Sequence, residues 1–131
     1  MEKYETPSDP AAVVRRFNRC IDRKDLSGLW DVMSDDPTLI DSAGNILRGK
    51  ADCIKAWKDF FALWPDYRNV FDEVADRGGG RIAVRGHSVC SDRCLNIPAL
   101  WSVQVTRSKV SLWRVYLDTG ENRRVLGFPP Q

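Results

Sequence analysis

Three side chains in this sequence could move a proton: Asp41, Asp118 and His87. Asp41 stands in the stretch Thr38-Leu39-Ile40-Asp41-Ser42-Ala43-Gly44-Asn45-Ile46-Leu47-Arg48-Gly49, where two short apolar runs flank a polar turn. That pattern reads as a hairpin or a sharply bent strand pair. A carboxylate at its mouth, backed by an aromatic helix, is one way to build a pocket with a single acid–base group. Period two puts Asp41 on the side of Leu39, so it is expected to be partly buried beside Trp57 or Trp64. Desolvation there would raise its pKa, as proton abstraction next to a carbonyl requires. The competing reading is local, an Asp that accepts hydrogen bonds from its own turn.

Asp118 follows the last apolar strand pattern and precedes Thr119-Gly120. It is either a catalytic acid or the cap of a terminal helical turn. His87 is the sole imidazole, and it lies within a run of β-branched and small residues over 82–90. Ile82, Val84, Gly86, Ser88 and Cys90 share one face of that run, and Ala83, Arg85, His87 and Val89 the other. If the first face is a pocket wall, Gly86 and Ser88 leave room for a ligand and His87 lies outside. With the opposite register, His87 becomes a proton shuttle whose pKa lies near neutrality.

Aromatic residues are the natural lining of an apolar site. Phe17, Trp30, Trp57, Phe61, Trp64, Trp101, Trp113 and Tyr116 are the candidates, with plain core packing as the alternative for each. The expected ligand is a small apolar molecule.

The elements that position these residues follow from periodicity. Ser8-Asp9-Pro10 opens a helix over 10–24, whose apolar face is Ala12, Val13, Phe17, Cys20 and Ile21. A short helix over 26–33 turns Trp30 and Met33 inward and stops at Asp35-Asp36-Pro37. A third, over 51–64, carries Ile54, Trp57, Phe61 and Trp64 on one stripe and ends at Pro65. Strands follow over 67–75, 82–90, 101–106 and 110–117, with glycines 78–80 and Arg107-Ser108 as turns. Helices first and an antiparallel meander afterwards mean α+β.

The length of 131 residues suits one domain over 1–131, with a core over 8–127 and tails at 1–7 and 128–131. Net charge is +2 with acids and bases interspersed, so no nucleic-acid partner is expected. No apolar run approaches a membrane span, and the charged N-terminus has no secretory h-region. A cytoplasmic location is expected, with Cys20, Cys53, Cys90 and Cys94 reduced. Cys90 and Cys94 have a permissive spacing but lack converging ligands, so neither metal nor cofactor is expected. The meander offers more apolar surface than one helical layer covers, which points to a homodimer.

The motifs Ala12-Val13-Val14-Arg15-Arg16-Phe17, Asp25-Leu26-Ser27-Gly28, Ser34-Asp35-Asp36, Thr38 to Asp41 and Gly44 resemble the first third of bacterial ketosteroid isomerases. Gly49-Lys50-Ala51, Trp57, Trp113-Arg114-Val115-Tyr116-Leu117-Asp118 and Leu126-Gly127 resemble the broader SnoaL-like group of polyketide cyclases and limonene-type epoxide hydrolases. The resemblance implies a nuclear-transport-factor-2-like, cystatin-like cone, a curved mixed or antiparallel sheet wrapped around a long helix, with a dimeric assembly. It places the isomerase base at Asp41, but puts Phe17 where that family has its tyrosine donor. Leu100 or Trp101 falls where it has its protonated acid. Lost donors of this kind cost orders of magnitude in rate, which argues against steroid isomerisation. Val115 replaces an acid of the epoxide hydrolases, and Asp118 matches the acid–base position of the cyclases. The reading is a SnoaL-like protein with an apolar pocket, working by one Asp on a small carbonyl compound. The alternative is a binding module without chemistry.

Overall fold

A computed structural model describes residues 9–130, so the expected N-terminal tail lies outside the described residues. Helix α1 (Pro10–Arg23) starts with proline in the first turn, where a missing N–H costs nothing, and ends on Lys24 in the left-handed conformation. Helix α2 (Leu26–Val32) is capped by Asp25, whose side chain accepts from the Gly28 N–H at 2.9 Å. Strand β1 (Met33–Ile40) and the short β2 (Ile46–Arg48) form the expected hairpin, and α3 (Lys50–Leu63) follows. Strands β3 (Arg68–Asp76), β4 (Arg81–Val89), β5 (Pro98–Thr106) and β6 (Lys109–Leu117) make the meander, and α4 (Gly120–Leu126) closes the chain. A single turn of 3-10 helix, Arg93–Leu95, interrupts the β4–β5 connection.

The sheet order is β2-β1-β6-β5-β4-β3, with β1 and β6 parallel and every other pair antiparallel. This is the expected α+β cone with a mixed sheet. One expectation fails at its start. Asp35-Asp36-Pro37 does not end the second helix but lies inside β1. Pairing of β1 with β6 skips from Met33 to Thr38, so Pro37 occupies the unpaired stretch where no ladder N–H is needed. Its carbonyl accepts from the Gly49 N–H instead, at 2.9 Å.

The helices fill one face of the sheet. Phe17 of α1 stacks on Trp113 of β6 at 4.4 Å between ring centroids, and Phe71 lies 5.1 Å from Trp101. The apolar face around Trp113 is therefore covered by the chain's own helices, with the partly buried Val115 packed against that core. A buried polar tie fixes α1 to β3: Asn18 donates to the Asn69 carbonyl, and Asn69 returns a bond to Asn18 Oδ1 at 3.1 Å. On the outer face, Leu126 and Phe128 cover Ala83 and Leu100. Among the described residues, no helix is long and apolar enough to cross a membrane.

Candidate functional site

At one end the cone is packed shut. A crevice of about 10 Å³ lies there between Phe17, Met33, Trp57 and Trp113. At the other end α3 and the sheet diverge around a cavity of about 360 Å³. Trp57 and Phe60 of α3 form one wall, and Leu39, Ala99, Val115 and Leu117 of the sheet form the opposite one. The β1–β2 turn contributes Asp41, Ser42, Ala43 and Asn45 to the mouth, and Leu95 and Ile97 close the side. The volume lies near the lower end of the range for small-molecule sites, and the walls have the apolar, aromatic character such sites favour.

Two loops shape the mouth through side-chain bonds. The Leu95–Ile97 side is fastened to the end of α3: Trp64 Nε1 donates to Asp92 at 3.1 Å, and the Ser91 N–H donates to Asp66 at 2.8 Å. The Ser91 side chain, and after it this backbone N–H, hold the Asp66 carboxyl below its usual range. On the other side Asp41 accepts from the backbone N–H groups of Ala43 and Asn45, both at 2.9 Å, and from the Asn45 side chain at 3.0 Å. Desolvation is the largest single influence and pushes the Asp41 carboxyl up, but the bonds from Asn45, Ala43 and the turn together outweigh it and hold the carboxyl below its ordinary value. Asp41 thus reaches the mouth, but exposed and tied to its turn, against the burial and raised pKa expected from period two. The reason is positional. β1 ends at Ile40, so Asp41 is the first residue of the turn and strand alternation no longer governs it.

Asp118 is not brought to the cavity. It forms a two-pronged pair with Arg123 of α4, at 2.6 Å and 2.8 Å, which lowers its pKa. The cap of α4 is Thr119, whose hydroxyl accepts from the Asn122 N–H. His87 lies on the outer face, half exposed and 3.5 Å from Asp72, so the register with Ser88 toward the cavity is the one realised. Gly86 leaves no room for a ligand. A Cβ there would sit 2.0 Å from the Val70 carbonyl oxygen, because the bulge in β3 brings that backbone against it.

The aromatic candidates divide. Trp57 lines the cavity, and Tyr116 borders it while its ring lies under the Arg114 guanidinium. Phe17, Phe61, Trp101 and Trp113 are buried in the core. Trp64 holds the neighbouring loop through Asp92. Trp30 is 44% exposed with the Lys50 ammonium over its ring, not turned inward.

The cavity also holds a residue that the sequence did not single out. Tyr67 sits between the end of α3 and β3, its ring edge-on to Phe60 at 4.7 Å between centroids. Its hydroxyl lies beside that of Ser88, and burial pushes its pKa up to about 12. The Lys24 ammonium donates to its backbone carbonyl and lies over the Phe61 ring, which fixes the residue from behind. An aromatic just past a Pro-Asp helix stop, where the chain doubles back under the helix, is the signal that could have marked it.

Among the described residues no three His, Cys, Asp or Glu side chains are grouped to hold a metal ion, and all four cysteines are free thiols. No curated protein matches this chain in sequence. Solved structures match it in fold at low identity. A candidate SnoaL-like polyketide cyclase from Shewanella denitrificans superposes with a TM-score of 0.74 at 10% identity, covering 83% of this chain and 90% of its own. An NTF2-like protein of unknown function from Cytophaga hutchinsonii gives 0.72 at 12%, covering 95% and 99%. A candidate ketosteroid isomerase from Kribbella flavida gives 0.71 at 14%, covering 83% and 77%. Residues 14–122 match the family described as the SnoaL-like domain, and the chain belongs to that family.

Proposed function

We propose that this protein binds a small, predominantly apolar molecule in the cavity at the open end of the cone, without using an aspartate as base. The observation that carries this reading is the pairing of apolar walls with spoken-for acids. Asp41 is held ionised by its own turn, and Asp118 is held by Arg123. A general base needs a pKa near the working pH and a free oxygen aimed at the substrate. Neither carboxylate meets both conditions. The proton-transfer or cyclisation reading keeps one point of support, the place of Asp41 at the mouth.

Trp57 gives the test its reporter. Titration with an uncharged apolar fluorophore such as N-phenyl-1-naphthylamine is expected to perturb Trp57 emission in the wild-type protein. Ala99→Phe, which fills the floor of the cavity, is expected to abolish that response. An unchanged response in the filled variant would remove the cavity from the account. Turnover of any carbonyl substrate that Asp41→Asn abolishes would restore the enzyme reading.

We also propose that two copies associate through the outer face of the sheet. Half-exposed Arg114, Tyr116 and His87 lie there, with Leu117 and Val125 exposed nearby. Light scattering at micromolar concentration reads the outcome, and a monomeric mass counts against it.

A further inference from the structure

The cavity wall is apolar except at one interior place, where the Tyr67 and Ser88 hydroxyls meet. The two hydroxyls are not equivalent. Ser88 donates its single proton to the Leu95 carbonyl, with the Ile97 carbonyl oxygen a further 3.4 Å neighbour, so that proton belongs to the loop. Among the described residues Tyr67 makes no bond to a carbonyl, and with the Ser88 proton committed its phenol donates toward Ser88 Oγ or into the cavity. Among the described residues no Lys, Arg or His side chain lines the cavity, and the one charge that does is the Asp41 carboxylate at the mouth. The Lys24 ammonium donates to the backbone carbonyl of Tyr67.

We infer that Tyr67 is the specificity-determining residue of this cavity: its phenol donates a hydrogen bond to the carbonyl oxygen of an uncharged, otherwise apolar ligand. The inference rests on the cavity being the binding site, and it adds which ligand chemistry the site selects. A carbonyl oxygen placed at the phenol accepts from it in a dry environment, whereas a saturated ligand leaves it only the Ser88 hydroxyl oxygen. A carboxylate ligand would enter past Asp41 and find no cation to offset its desolvation. Burial keeps the phenol protonated throughout the physiological range, so donation is independent of pH there. This donor sits at the start of β3, not at the α1 position where Phe17 stands.

Three ligands of one shape separate the terms: 2-acetylnaphthalene, 2-ethylnaphthalene and 2-naphthoate. Binding is read from the indole N–H resonance of Trp57 in proton–nitrogen spectra of the intact protein. The ketone is expected to bind about five-fold more tightly than the hydrocarbon, the worth of one neutral hydrogen bond. Naphthoate is expected to bind weakest. Tyr67→Phe should remove the preference for the ketone over the hydrocarbon, the ring contact with Phe60 being retained. Equal affinity for ketone and hydrocarbon in the wild type overturns the role of Tyr67 alone. So does a ketone preference that survives in Tyr67→Phe, or naphthoate binding most tightly. If none of the three shifts Trp57, the binding-site reading itself fails and the inference falls with it.

Discussion

Asp41 commits both carboxylate oxygens to its own turn, and that decides what it does. With two backbone N–H groups and an amide bound, it works as a brace that shapes one lip of the cavity. Removing it by Asp41→Ala leaves those donors to solvent and is expected to cost about 1 kcal/mol, within the usual net range for such bonds. Its depressed pKa gives the effect a definite pH dependence. A folded-state pKa below the unfolded value near 3.8 means the stabilisation is fully present above that value and is lost as pH falls through the folded one. Asp41→Asn should therefore leave the stability profile between pH 5 and pH 8 flat, and an NMR titration of the Asp41 carboxyl carbon should show a midpoint below the ordinary carboxylate range. A midpoint near neutrality would restore it as a base. Both roles were visible in the residues 38–49. What decided between them was where β1 ends, a one-residue question that alternation of polar and apolar residues does not resolve. Tyr67 escaped notice for a related reason: its value comes from Ser88 and Phe60, which only the folded chain brings to it.

At the scale of elements, long periodic segments were legible and exceptions to pairing were not. The three main helices fall within a residue or two of the spans that apolar spacing predicts, because one buried stripe per helix dominates their energetics. β1 was cut short by its Asp-Asp-Pro run, since a proline in a strand is tolerated only where no ladder bond is missing, and that place is set by the partner strand. Gly86 shows the same dependence. Its small size serves the bulge of β3, not a ligand, and a methyl group would meet the Val70 carbonyl at 2.0 Å. Gly86→Ala is therefore expected to destabilise the β3–β4 pair by about 2 kcal/mol, in the range of overpacked sites. Chemical denaturation would measure it, and an unchanged midpoint would show that the bulge relaxes freely. The terminal helix depends on a charge pair instead. Asp118→Asn should lower the melting temperature at pH 7 and flatten its decline in acid, because the depressed Asp118 pKa contributes stability above the carboxylate range and loses it below.

For the whole molecule, the two ends of the cone make opposite demands. The narrow end is a jigsaw of Phe17, Trp57, Trp113 and their neighbours with almost no free volume, and it supplies the cooperative core. The open end leaves about 360 Å³ unfilled between α3 and the sheet, apolar surface that forgoes the contacts a packed core would make. A protein keeps such a space at a cost in stability when something else occupies it. Filling it from within should then raise stability while removing binding. Ala99 is well placed for this, since it is 5% exposed, points from β5 into the cavity and sits in a regular stretch of sheet opposite Leu117. Ala99→Phe is expected to raise the melting temperature of the free protein. A ligand that binds only the folded state stabilises it by about 2.7 kcal/mol at one hundred times its dissociation constant. Saturating 2-acetylnaphthalene should accordingly raise the melting temperature of the wild type, and do nothing to Ala99→Phe. Calorimetry of the two proteins with and without the ketone gives all four values. A filled variant that melts lower than the wild type would mean the walls are already packed as tightly as they tolerate. An additional rise on adding ketone to that variant would place its binding elsewhere on the molecule.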